Sequence, residues 1–169
     1  MKYNSIVFMG MAIIFLLFSL INMPEVFAHC QIPCGIYTDE LRFQILEEDF
    51  TTIEKSMQEI VRLSQENPVN YNQLVRWITN KEEHANKVQE VVNFYFLTQR
   101  IKLVESTDQK AYQEYTHKLS LLHQLLVYAM KAKQTTDLAN VEKLRSLLKE
   151  FHEVYFGPED KEHLQEHHK

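Results

Sequence analysis

One short segment, His29-Cys30-Gln31-Ile32-Pro33-Cys34-Gly35-Ile36-Tyr37, concentrates the residues able to do chemistry, and both cysteines of the chain lie in it. Thiolate sulfur and imidazole nitrogen suit nickel, copper or zinc rather than magnesium or calcium, and a near-planar set of N and S donors points to nickel or copper. A zinc cage of four cysteines is excluded, because the chain has only 2 Cys. Were His29 the first residue, it would offer its α-amine as well as its imidazole. Cys30 would add its thiolate and, once a strongly binding metal displaces the proton, its own amide nitrogen, and Cys34 a second thiolate. Ile32-Pro33 reverses the chain between the cysteines, and Gly35 lets the backbone pass close to an ion without a Cβ clash. Tyr37 falls beside this hook.

Such a chelate needs a free amino terminus, and the residues ahead of His29 predict one. Ile6 to Ile21 form an apolar-to-small run preceded by Lys2, and Asn22 to Ala28 contain Pro24 and end in the small residues Val26 and Ala28 at positions −3 and −1. That is the layout of a secretory signal peptide. Residues 1–28 are therefore expected to be a cleaved leader and 29–37 a metal hook, with the mature protein exported to a periplasmic or secreted location and no longer attached to a membrane. An uncleaved anchor is the competing reading, since the run is shorter than the roughly 20 residues of a spanning helix but long for a leader.

The hook must be carried by something, and the remaining chain predicts an all-α scaffold. Of 169 residues only 3 are Gly and 4 Pro, too few for a many-turned β protein. With 18 Lys+Arg against 23 Asp+Glu the formal charge is −5, which gives no broad cationic surface for nucleic acid. Thr38 can cap a first helix with Asp39 and Glu40 in its first turn, as the helix dipole prefers. Leu41, Ile45, Phe50, Ile53, Met57 and Ile60 recur at helical spacing, and Asn67-Pro68 should end the helix. A second begins near Tyr71 and runs through Leu74, Val75, Ile78, Ala85, Val88, Val92 and Tyr95 to about Leu103. Thr79 with Glu82 is a possible capping box, which leaves one helix or two open. The third, from Asp108 to about Lys133, alternates threes and fours through Tyr112, Tyr115, Leu119, Leu122, Leu126 and Ala129, a bundle seam. After Thr136-Asp137 a fourth presents Leu138, Val141, Leu144, Leu148, Phe151 and Tyr155, with Gly157-Pro158 as a stop. Short connections make these an antiparallel four-helix bundle over 38–157, followed by a polar, His-rich tail at 158–169.

The pattern H-C-x-x-P-C-G-x-Y directly after a leader resembles the hook of nickel-containing superoxide dismutases at every fixed position. The resemblance implies the same four-helix bundle, one nickel ion per subunit, and assembly as a homohexamer with the hooks packed against neighbouring subunits. It also implies the reaction, the conversion of superoxide to dioxygen and hydrogen peroxide as the metal alternates between Ni(II) and Ni(III). By the same resemblance His29, Cys30 and Cys34 are the metal ligands, Pro33 follows a cis peptide bond, and Tyr37 borders the open face as the catalytic tyrosine. Gln44, Glu47 and Glu48 are the candidates by position for a carboxylate or amide that steadies the His29 imidazole. Nickel-delivery and leader-processing proteins are the implied partners. A leader of the short prosegment kind found in some members would instead leave the protein in the cytoplasm.

Plainer readings compete at three places. Cys30 and Cys34 could close a disulfide in an exported, non-catalytic bundle with a structural or metal-storing hook. Glu114 and His117 have the spacing of half a di-iron carboxylate site, which requires two such pairs facing inward. His163 and His167, at i and i+4 in the tail, could capture a divalent ion.

Overall fold

The computed structural model describes residues 39–156, and within them four helices follow the expected order. Helix α1 spans Asp39–Ser64, α2 Tyr71–Glu90, α3 Gln109–Gln134 and α4 Ala139–Tyr155. The cap expected at Thr38, the stop at Gly157-Pro158 and the tail lie outside the described residues. Spatial neighbours are α1 with α2, α2 with α3, α3 with α4 and α4 with α1, so the helices close a ring around one core. No strand occurs among the described residues.

Local chemistry explains the helix starts. Asn70 Oδ1 accepts from Gln73 N at 3.2 Å ahead of α2, Asp108 Oδ1 from Ala111 N at 3.1 Å ahead of α3, and Asp137 Oδ1 from Ala139 N at 3.0 Å ahead of α4. Each supplies an acceptor to an amide that has no partner inside its helix. Thr79 and Glu82 do not restart the second helix. It runs unbroken from Tyr71 and at Val91 passes into a π-helical segment, Val91–Arg100. Ile101 N closes that segment on Phe96 O at 2.9 Å, and Leu103, expected near the helix end, lies beyond it and is exposed.

The core contains Phe50, Ile53, Met57, Ala85, Val88, Val92, Leu122, Leu144 and Phe151 as the periodicity expects. It departs from expectation in three helices. In α1 the buried residues near the start are Phe43 and Leu46, while Leu41 is exposed and Ile45 half-buried. The two stripes interleave, and Phe43 is the one drawn inward, because its ring meets Phe96 and Phe151 at 5.1 and 5.5 Å. In α2, Val75 and Ile78 are exposed. The first ten residues of that helix bury no side chain, and their polar links run to α1, where Asn80 Nδ2 donates to Ser56 Oγ at 2.9 Å. In α3, Leu121, Leu125 and Ala132 are buried and Tyr112 is exposed, which moves the seam toward the helix end nearest α4's start.

Candidate functional site

The expected ligands His29, Cys30 and Cys34 and the tyrosine Tyr37 lie outside the described residues. Asp39 is the described residue nearest to them in sequence, and it opens α1. An acid here suits the positive end of the helix dipole, which was the only role its position in the sequence suggested. Its carboxylate does more. Oδ2 accepts from Tyr155 Oη at 2.7 Å, Oδ1 accepts from the Tyr95 hydroxyl, and Arg100 Nε stands 2.9 Å from Oδ1. Arg100 Nη2 also donates to Tyr95 Oη at 2.9 Å.

Three elements place these groups. Tyr95 and Arg100 are five residues apart, the spacing at which a π-helix, with its i to i+5 hydrogen bonds, stacks side chains on one face. Two further side chains brace the same segment at that spacing: Thr98 Oγ1 donates to Asn93 O at 2.7 Å and Gln99 Nε2 to Phe94 O at 2.8 Å. Tyr155 arrives from the last turn of α4. Burial, reinforced by the Asp39 carboxylate that each phenol donates to, pushes Tyr95 and Tyr155 above the ordinary phenol range. Both are donors at neutral pH, as ordinary phenols are, and the shift extends that to higher pH.

The same end of the bundle is lined with rings. Phe96 meets Phe151 edge to face at 5.0 Å, and His152 stands edge-on to Phe43 at 4.8 Å while its Nε2 contacts Glu40 Oε2 at 2.8 Å. A cleft of about 440 Å³ opens beside the Asp39 cluster, lined by Arg100, Lys102, Glu114, Tyr115, Lys118 and Tyr155 among others.

Of the candidates for steadying the His29 imidazole, Gln44, Glu47 and Glu48 are all exposed on α1, and Glu47 Oε2 lies 3.6 Å from Arg145 Nε. Glu114 and His117 are exposed on α3 rather than inward-facing, so they do not form half of a di-iron site; His117 Nε2 is 3.5 Å from Glu150. Of the other helix histidines, His84 is packed against Asp49 and His123 is exposed. Among the described residues no group of three or more His, Cys, Asp or Glu side chains could hold a metal ion.

Tyr155 and Arg100 as partners of Asp39 were not legible in the sequence. Asp39 and Tyr155 are 116 positions apart, and no local spacing joins them.

The model of the nickel-containing superoxide dismutase family matches residues 24–159, a stretch that takes in both the hook and the bundle. The chain belongs to that family. It is a nickel-dependent superoxide dismutase, an oxidoreductase with a nickel cofactor, built on the family's four-helix bundle. The non-catalytic bundle is thereby set aside as a description of the whole protein. No curated protein and no solved structure matches the chain.

Proposed function

We propose that the nickel of this dismutase is held by His29, Cys30 and Cys34, one ion per chain, after removal of residues 1–28. The observation that carries the reading is that the family match begins at residue 24 and so includes the whole hook, which holds both cysteines of the chain. The donor set fits the metal: two thiolates with an amine, an amide nitrogen and an imidazole make a soft, nitrogen-and-sulfur environment suited to nickel. Nickel bound there supplies the one-electron oxidation and reduction by which two superoxide ions and two protons become dioxygen and hydrogen peroxide. The thiolates and the Cys30 amidate are electron-rich, and so bring the metal's potential down into the range where superoxide can both reduce and oxidise it. His29 would contribute its amine and its imidazole to the donor set. Tyr37, three residues after Cys34, would position the small anion and assist proton delivery through water.

The chain is further read as exported by its leader, to the periplasm or outside the cell, and assembled as a homohexamer. Superoxide is the small-molecule partner, and nickel-delivery and leader-processing proteins serve its maturation.

Mass and metal analysis of protein purified from its own host tests the site. The expected result is a chain beginning at His29 with about one nickel, as one hook with one donor set holds. Cys34→Ser, in correctly processed protein, should lose both nickel and dismutation. Retention of nickel and full activity in Cys34→Ser, or a chain that begins at Met1 and is nonetheless active, would overturn the assignment.

A further inference from the structure

The hub at the start of α1 is more than a helix-capping arrangement. One carboxylate, Asp39, gathers a hydroxyl from α4, a hydroxyl from the π-helical segment and a guanidinium from that segment's last residue. The first turn of α1 is thus tied to two other elements through a single side chain. All of this is built around the described residue closest in sequence to the hook: Tyr37 precedes Asp39 by two positions and Cys34 by five.

We propose that Asp39 is a positioning residue for the nickel hook, acting through the first turn of α1, which Tyr155 and Arg100 hold against α4 and the π-helical segment. The inference rests on the reading of the hook given above. Its physical basis is the chain's short reach. Consecutive Cα atoms are about 3.8 Å apart, so two links keep the Tyr37 Cα within roughly 7.6 Å of that of Asp39 whatever the conformation between them. Outer groups that orient metal ligands commonly matter as much as about 10- to 100-fold in metal affinity or activity. A helix start held only by its own backbone would fray, since its first amides have no internal partners. Here the ion pair and two phenol hydrogen bonds hold the first residue of the helix against α4 and the π-helical segment. Both phenols are protonated at neutral pH already at their ordinary value near 10, and burial and the Asp39 carboxylate raise them further.

The test compares nickel-loaded, correctly processed wild type with Asp39→Ala and Tyr155→Phe, and uses Lys81→Met as a reference for lost stability. Lys81 holds the far end of α3, where its Nζ donates to Ala132 O at 2.9 Å. Three quantities are read well below the melting temperature: the thiolate-to-nickel absorption, the electron paramagnetic resonance signal of the oxidised site, and the rate at which nickel is lost to a chelator. Asp39→Ala should release nickel about tenfold faster and shift the resonance signal. Tyr155→Phe, which removes a single hydroxyl and keeps the ring, should move both in the same direction by less. Lys81→Met should lower the melting temperature and leave both readouts at the wild-type value. Should Asp39→Ala fail to fold, Tyr155→Phe decides alone. Variants that melt earlier yet keep the wild-type signal and nickel loss rate would overturn the positioning role while leaving the hook intact. A wild type with no thiolate-to-nickel absorption would overturn the hook reading and this inference together.

Discussion

Asp49 is a carboxylate buried among the core residues of α1, with Oδ1 2.6 Å from His84 Nδ1 and Oδ2 lacking a hydrogen-bond partner among the described residues. Loss of hydration raises its pKa above the ordinary carboxylate range, against the opposing pull of the His84 hydrogen bond and of the charges on His84 and Lys87; Glu48 adds to the rise. A carboxyl raised by folding favours the folded state while it is protonated, and that advantage is lost as the pH climbs through the raised value. Asp49→Asn keeps the shape and an acceptor for His84 without the charge. Wild type and Asp49→Asn should therefore melt alike in acid, and the wild type should fall progressively behind as the pH is brought to 7. Paired melting curves across that range check the sign. A wild type that gains on the variant with rising pH would mean that His84 and Lys87 more than offset the burial. No local spacing in the sequence joins His84 to Asp49, 35 positions away.

The joins between helices depend on side chains acting across long sequence gaps. Lys81 is buried on α2, and its ammonium donates to Ala132 O at 2.9 Å, to Lys133 O, and to Thr135 O at 3.3 Å. These carbonyls end α3 and have no amide of their own helix to accept from, so the cation satisfies them and faces the negative end of the dipole. Hydrogen bonds to a charged group contribute about 1.5–3 kcal/mol each, and unsatisfied buried carbonyls cost a similar amount. Lys81→Met should therefore lower stability by about 2 kcal/mol or more, measured by urea unfolding followed with circular dichroism. A change within experimental error would mean that water replaces the ammonium without cost. The number and order of helices were legible because Asn67-Pro68, Asp108 and Asp137 mark boundaries chemically and the apolar spacing repeats between them. The register of α1 was not, because Leu41/Ile45 and Phe43/Leu46 both fit a helical period and only the rings of Phe96 and Phe151, from other helices, choose between them. The π-helical segment was equally hidden. Its backbone turns on side-chain bonds such as Thr98 to Asn93 O, which no propensity scale registers. The hook is the reverse case: the donors proposed for it span only residues 29 to 34, so the proposal needs no tertiary contact, and those residues lie outside the described ones.

The whole molecule is anionic, at −5, and its substrate is an anion, so the long-range field opposes encounter and any attraction must be local. The cleft beside Asp39 is where the described surface supplies it. The Asp39 charge there is matched by Arg100. Lys102 and Lys118 also line the cleft, and among the described residues neither forms a salt bridge, which leaves Glu114 as the one further acid against two lysines. Two further features suit the role: the cleft is open, and it lies at the end of the bundle where α1 begins, with Asp39 in its lining. Reversing both lysines with Lys102→Glu and Lys118→Glu should lower kcat/KM for superoxide severalfold at low ionic strength. Salt should then close the gap, since the screening length falls from about 30 Å at 0.01 M to about 3 Å at 1 M and steering is lost with it. Nickel content should stay at the wild-type level, because neither lysine belongs to the hook or to the groups that hold Asp39. A double variant as fast as wild type at low salt would place the steering charges elsewhere. One that is slower by the same factor at every salt concentration would show that the lysines shape the path of the substrate rather than its field.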